Sequence, residues 1–456
     1  MTRASYLPAE ALARFPLSCP QQLWRSGDQG DHAGYFSQRF VLATALRIAG
    51  WLDVPALRAA LDDVVARHEI LRTVVVRDAE PPYQRVHPPA PVPLQVWDLP
   101  AAADRSRDVV AEQLLNEVAL SPLSPRQVPL LRAELCRFDH TDSVLTLLTH
   151  HTACDEWSIQ VILRDLAACY AARAAGHEPA LPELLQYREF AELQLAEAAA
   201  PTADVARDYW QRQLLGAQIF AVPTDRAVPE MHTEPYSALN FMVEAAVIGP
   251  LAALARQLQT STAAVLLAAI NVLAYQVVGT TDPAIDTVTT GRTDPRFDNS
   301  AGPVMNFLVF RTEISGCQSF RQVVERTRDS YHEARLHEIP IQHIERAVPE
   351  LRQPRQDGRR TGFILGIHQP PFQDAELNLA GAAHEIRRRV LPVPVAAWLP
   401  HGVAWAMHLL PSGELSNRIR FNLEDLDEST VAGWAGSYQR IVTAAAVDPD
   451  RDWRAI

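Results

Sequence analysis

Residues Ser143 to His150, SVLTLLTH, carry no charged side chain and are almost wholly apolar until two histidines end the run. A strand of that kind is buried on both faces, so it belongs at the centre of a sheet rather than at an edge. A second apolar run, Leu130 to Phe138, precedes it across the polar sequence Asp139-His140-Thr141-Asp142, which has turn composition. The pair reads as a β-hairpin. After Ser158 the residues Ile159, Ile162, Leu163, Leu166 and Tyr170 recur at helical spacing until Gly176, a stop signal. The sequence HHTACDEWS, His150 to Ser158, is therefore placed on a loop between a core strand and a helix, where a rigid scaffold can carry chemistry.

The same local logic organises the rest of the chain. Asp53 and Pro55 open a helix whose face is Leu57, Leu61, Val64 and Val65 and which ends near His68. Short strands are expected at Thr73 to Arg77 and Tyr83 to Val86, separated by Pro81-Pro82. Later strands are read at Ala284 to Thr290, Val304 to Thr312, Gly362 to His368 and Asn417 to Asn422. Thr262 is taken as the cap of a helix through Val265, Leu266, Ile270 and Leu273, and Val431, Trp434, Tyr438 and Ile441 mark a last one. Two weakly periodic stretches, Gly176 to Pro182 and Ala198 to Ala206, are candidate linkers. Helices and strands alternate irregularly and no short repeat is present, which makes the fold class α+β in two lobes, 1–176 and 177–456.

Composition narrows the partners. The chain has 456 residues, 48% of them hydrophobic and 21% charged, and can bury a large core without staples. A net charge of -12 repels nucleic acid and anionic lipid, except where basic residues cluster. The one such cluster, Arg352 to Arg360, is diluted by Glu350 and Asp357 and reads as a solvated loop. Five cysteines without a C-x-x-C pair argue for a reducing compartment and against zinc or a disulfide framework. The first residues lack the apolar core of a signal peptide, and no apolar run reaches the roughly 18 residues of a membrane span. A cytoplasmic monomer with no membrane or nucleic-acid partner is expected.

His150, His151, Asp155 and Ser158 concentrate two imidazoles, a carboxylate and a hydroxyl at one strand end. A neutral imidazole can accept or orient a proton near neutral pH. A purely structural pair of histidines is the plainer alternative. A metal site is disfavoured because adjacent residues of an extended strand point to opposite faces. By the same alternation one histidine faces the site and the other packs inward, and Asp155 needs a cationic partner if it is buried.

HHTACDEWS resembles the HHxxxDGxS signature of condensation domains in nonribosomal peptide synthetases. Other segments are similar to further motifs of that family in the same order: LSCPQQLW (Leu17 to Trp24), RHEILRT (Arg67 to Thr73), FAVPTDR (Phe220 to Arg226), GRTDPRFDNSAGPVMNFLVFR (Gly291 to Arg311) and HEIPIQHI (His337 to Ile344). The resemblance implies a chloramphenicol acetyltransferase-like fold with two lobes in a V and a tunnel between them. By residue, it implies that His151 meets the attacking group, that His150 and Asp155 are structural, that Arg72 or Arg292 pairs with Asp155, and that Trp157 and Asn306 line the tunnel. Glu156 stands where the family has glycine, a departure that adds bulk and charge beside the histidine.

The implied reaction joins a carrier-bound acyl thioester to an acceptor amine, or to a hydroxyl to give an ester. Donor and acceptor peptidyl carrier proteins would be the partners, with substrates on their phosphopantetheine arms and no metal or organic cofactor on the protein itself. A non-catalytic recruiting relative and a coenzyme A-dependent acyltransferase of the same fold remain as alternatives. Epimerisation and heterocyclisation fit less well. The former lacks its glutamate motif, and the latter would replace the histidines.

Overall fold

The computed structural model describes residues 14–99, 106–229, 236–352, 358–369, 379–386 and 402–456. Of the arginine-rich stretch, residues 353–357 lie outside them. The chain forms two compact units, and the division is not a single cut at residue 176. The first unit is Met1–Ala196 together with Arg292–Val304 and Pro371–Ile386, and the second is the remainder. Segments distant in sequence join the first unit, and Ala198 to Ala206, read as a candidate linker, falls mostly in the helices Tyr187–Ala199 and Thr202–Gln213.

The first unit is built on the strand Asp142–His150, which is central as its composition requires. It pairs antiparallel with Val41–Ala49 on one side and with Leu131–Arg137 on the other. The sheet runs Ala382–Glu385, Val41–Ala49, Asp142–His150, Leu131–Arg137, Leu94–Asp98, with the last pair parallel. The helices Val54–Arg67 and Glu156–Ala174 pack on each other and supply Leu57, Leu61, Ile162 and Leu166 to the same buried cluster as Leu145 and Leu147. Val54–Arg67 starts where the Asp53 carboxylate accepts the N–H of Ala56, the expected cap. A small sheet of Arg14–Phe15, Tyr83–Val86 and Thr73–Val76 completes the unit.

The second unit contains a mixed sheet ordered Asn306–Arg311, Ala284–Thr289, Arg360–His368, Val403–Leu409, Leu415–Asn422, Tyr236–Val243, with Ala221–Pro223 against Arg360–His368. Helices Ala245–Gln257, Thr262–Val278 and Glu428–Val447 pack against one another. Thr262–Val278 is capped by Ser261, whose side chain accepts the N–H of Ala264, so the expected cap at Thr262 is displaced by one residue. Ser261 has extended backbone angles and Thr262 is already helical. No single helix among the described residues is long and apolar enough to cross a membrane.

Candidate active site

The central strand delivers both histidines, and their surroundings differ. His150 ends the strand and is fully buried. Its Nε2 lies 3.0 Å from the carbonyl of Ser37, which can only accept, so Nε2 carries the proton. Nδ1 then accepts from the N–H and hydroxyl of Thr152, at 3.2 and 2.8 Å. Burial pushes its pKa down to about 4, which keeps the ring neutral.

His151 leaves the strand and opens a single 3-10 turn, His151–Ala153. It is half-buried. Its Nδ1 sits 2.8 Å from the carbonyl of Cys154, so here Nδ1 is the protonated nitrogen and the lone pair is on Nε2. The two rings hold opposite tautomers. Desolvation lowers the pKa of His151, with the carboxylates of Glu156 and Asp155 among the influences acting the other way. The imidazole stacks on Phe40 with centroids 4.5 Å apart and planes 13° apart, and meets Trp24 edge-on at 5.8 Å.

Asp155 caps the helix Glu156–Ala174. One carboxylate oxygen accepts from the N–H and hydroxyl of Ser158, at 2.8 and 2.6 Å; the other accepts from Arg292 and from the N–H of Val304, both at 3.0 Å. Arg292 also donates to the Ser158 hydroxyl and to the carbonyl of Ser300. The carboxylate thereby holds the segment Arg292–Val304 against the start of the helix. Of the two candidate arginines, Arg292 makes the ion pair; the Arg72 guanidinium donates to the carbonyls of His87 and Ala66 and lies near Glu69. Arg72 ends a short 3-10 helix, Glu69–Arg72, and its guanidinium is taken up by the neighbouring backbone.

Ser158 is a hub in its own right, with its hydroxyl 2.8 Å from the Gly302 carbonyl and accepting the Gly302 N–H at 2.9 Å. Trp157, half-buried, donates its indole N–H to the Asp298 carbonyl at 2.8 Å and lies under the Arg292 guanidinium at 5.3 Å. It clamps the same segment. Asn306 belongs to the second unit, where its amide bonds Glu338 and the Ile339 carbonyl and accepts from the N–H of Ile341. It pins the turn before helix Ile341–Ala347.

Glu156 is the first residue of its helix and has no left-handed backbone angle, so the position needs none of the freedom glycine would bring. Its charge lies in the first helical turn, where the dipole favours an anion.

Reading the residues alone missed Phe40, Ser37, Thr152 and Gly302. Phe40 sits just before a strand and in no quoted motif; only the register, which sets Val41 opposite His150, places it beside His151. Trp24 was within a quoted motif without a role. No group of three or more His, Cys, Asp or Glu among the described residues could hold a metal ion. The site offers one oriented lone pair, on Nε2 of His151, and a rigid polar lattice behind it.

The family model for the Condensation domain matches residues 29–364. A probable non-canonical nonribosomal peptide synthetase, CymA of Salinispora arenicola, is 32% identical over 97% of this chain, which spans only 6% of that synthetase. SgcC5 from Streptomyces globisporus, solved in complex with (R)-(-)-1-(2-naphthyl)-1,2-ethanediol and sucrose, is 34% identical with a TM-score of 0.88, covering 96% of this chain and 100% of that one. The X-domain from teicoplanin biosynthesis is 25% identical with a TM-score of 0.75, covering 99% and 98%.

Proposed function

The chain belongs to the condensation-domain family of nonribosomal peptide synthesis, with its chloramphenicol acetyltransferase-like fold, and from that premise we propose that it is an acyltransferase whose acceptor nucleophile is received by His151. The observation that carries this reading is the anchored tautomer: Nδ1–H is tied to the Cys154 carbonyl, so the half-buried ring presents Nε2 as a hydrogen-bond acceptor.

The acceptor nitrogen attacks the carbonyl carbon of an acyl thioester on a carrier protein. The C–N bond forms, the tetrahedral intermediate collapses with cleavage of C–S, the carrier thiol departs, and the proton lost by the nitrogen ends on the thiol. Nε2 of His151 accepts a hydrogen bond from the attacking N–H and aligns its lone pair with the carbonyl, a contribution of orientation as much as of basicity. His150, Asp155 and Arg292 act behind it by holding the loop. Donor and acceptor carriers are the partners, with both substrates on phosphopantetheine.

A second acceptor chemistry is supported by one observation. SgcC5, similar over nearly the whole chain, was solved with a vicinal diol. A hydroxyl reaches the same Nε2 and gives an ester by the same geometry, and for an alcohol the removal of the proton matters more.

Replacing His151 with alanine and measuring product by intact mass on loaded carriers tests the proposal. The rate falls about 10²- to 10⁴-fold if the imidazole assists the nucleophile. An undiminished rate, or product formed by neither protein while a second enzyme is bound, points to a recruiting role and overturns it.

A further inference from the structure

We infer that Phe40 is the positioning residue of His151, holding the imidazole plane and its Nε2 direction through a paired backbone and ring contact. The inference rests on the reading of His151 as the group that meets the acceptor, and it deepens that reading by naming what makes the imidazole a fixed acceptor.

An imidazole on a turn has two torsions to lose before its lone pair has a direction. The Nδ1–H bond to Cys154, 2.8 Å, limits rotation in the ring plane but does not by itself stop the plane tilting, and a tilted ring bends that bond until it no longer selects one tautomer. Phe40 removes the tilt. Its ring lies 13° from parallel at 4.5 Å, a stacked contact that becomes weaker as the planes diverge. Its carbonyl accepts the N–H of His151 at 2.9 Å, which continues the pairing of Val41 with His150 by one step and fixes the backbone from which the imidazole projects.

Phe40 is itself immobilised. Trp24 meets it edge-on at 5.7 Å and Tyr35 at 5.4 Å, while Trp24 and Tyr35 stack at 6.0 Å. Trp24 is fully buried and Phe40 nearly so. The four rings form one block, in which Trp24 and Phe40 are buried and Tyr35 and His151 are half-buried. A functional group is useful only when its own supports are locked to within about 10–20°, and here the lock is aromatic on one side and a carbonyl on the other. The titratable groups around the ring are the carboxylates of Glu156 and Asp155 on the helix side and neutral His150 on the strand. None of these contacts defines the ring plane.

The test uses the full chain with ¹⁵N-labelled histidine. Two-bond proton–nitrogen correlations report the ring tautomer, and the His151 signal is the one missing from His151→Ala. In the unmodified protein His151 shows the Nδ1-protonated pattern. Phe40→Leu keeps an apolar side chain but removes the stacking face, and shifts the His151 nitrogens towards the average of the two tautomers. Phe40→Tyr keeps the face and retains the unmodified pattern. Acyl transfer from an aminoacyl-loaded carrier falls about tenfold in Phe40→Leu, with KM for the donor unchanged, and Phe40→Leu adds nothing to His151→Ala.

Should Phe40→Leu not fold, Phe40→Met, with similar length and no ring, takes its place. An unaltered tautomer in the folded variant overturns the assignment. So does a shifted tautomer with an undiminished rate in a protein whose His151→Ala variant is inactive. If His151→Ala is itself active, the functional reading fails, while the nitrogen shifts still decide whether Phe40 positions the ring.

Discussion

Asp155 and Arg292 stand 137 positions apart in the chain and 3.0 Å apart in space, both almost wholly buried. The pair closes a lattice in which one carboxylate caps a helix and also receives the segment Arg292–Val304, so the turn that carries His151 is braced from both ends. A buried ion pair adds little net stability compared with apolar packing, but removing one partner strands a charge. Its value here lies in geometry.

Arg292→Ala leaves Asp155 without its cation and costs about 3–5 kcal/mol of folding stability. Denaturant titration should show this loss, and Asp155→Ala combined with Arg292→Ala should lose less than the sum of the singles because the two share one interaction. Strict additivity would mean that the contact carries no energy of its own.

His150 supplies a pH-dependent term. Its pKa is about 4 in the folded protein against 6.5 when unfolded, so between those values the unfolded chain binds more protons. The stability it contributes is complete above pH 6.5 and is lost as pH falls towards 4, about 3 kcal/mol in all. His150→Gln, able to donate to the Ser37 carbonyl, should flatten the stability profile in that window. An equally steep profile in the variant would show that other groups cause the slope.

Catalysis should resist mild acid. Burial lowers the pKa of His151, so its Nε2 lone pair survives below the pH at which a free imidazole is half protonated. With a hydroxyl acceptor, whose own protonation does not intervene, kcat should hold through pH 6.5 and fall only at lower pH. A midpoint above that value contradicts the buried setting.

Glu156 opposes that shift, since its carboxylate favours the protonated ring. Glu156→Gln should move the acidic limb of the kcat profile to lower pH. It also removes an anion from the first turn of Glu156–Ala174, at about 0.3–1 kcal/mol of stability. An acidic limb that does not move would show that the carboxylate does not act on the ring.

Gly302 is needed where it stands. Its φ is +144°, and a Cβ there would lie 2.1 Å from the Tyr187 ring, itself buried with its hydroxyl donating to the Pro303 carbonyl. Gly302→Ala should cost about 1–3 kcal/mol and loosen the Ser158 contacts, lowering both melting temperature and kcat. Retention of both would show that the segment can shift without consequence.

Much of the first unit was legible because its signals are local. The apolar strand, the hairpin turn, the Asp53 cap and the helical spacing after Ser158 each depend on neighbours within a few residues. The histidine pair was legible too, as was the need of Asp155 for a cation. Three readings failed for want of context: the division at residue 176 is not a single cut, Ala198 to Ala206 is mostly helical, and the cap expected at Thr262 is Ser261. Adjacent hydroxyl residues look alike until backbone angles distinguish them.

The sequence by itself determined which residue types gather at the strand end and which elements present them, since the periodicities of helix and strand are patterns among near neighbours. Tertiary structure alone decided that Arg292 rather than Arg72 meets Asp155, that Phe40 lies on His151, and that the two histidines adopt opposite tautomers. The first two depend on contacts across more than a hundred residues, and the tautomers differ because His150 meets the distant carbonyl of Ser37 while His151 meets that of nearby Cys154. No periodicity encodes such a pairing, because its energy exists only once distant segments have been brought within a few ångströms.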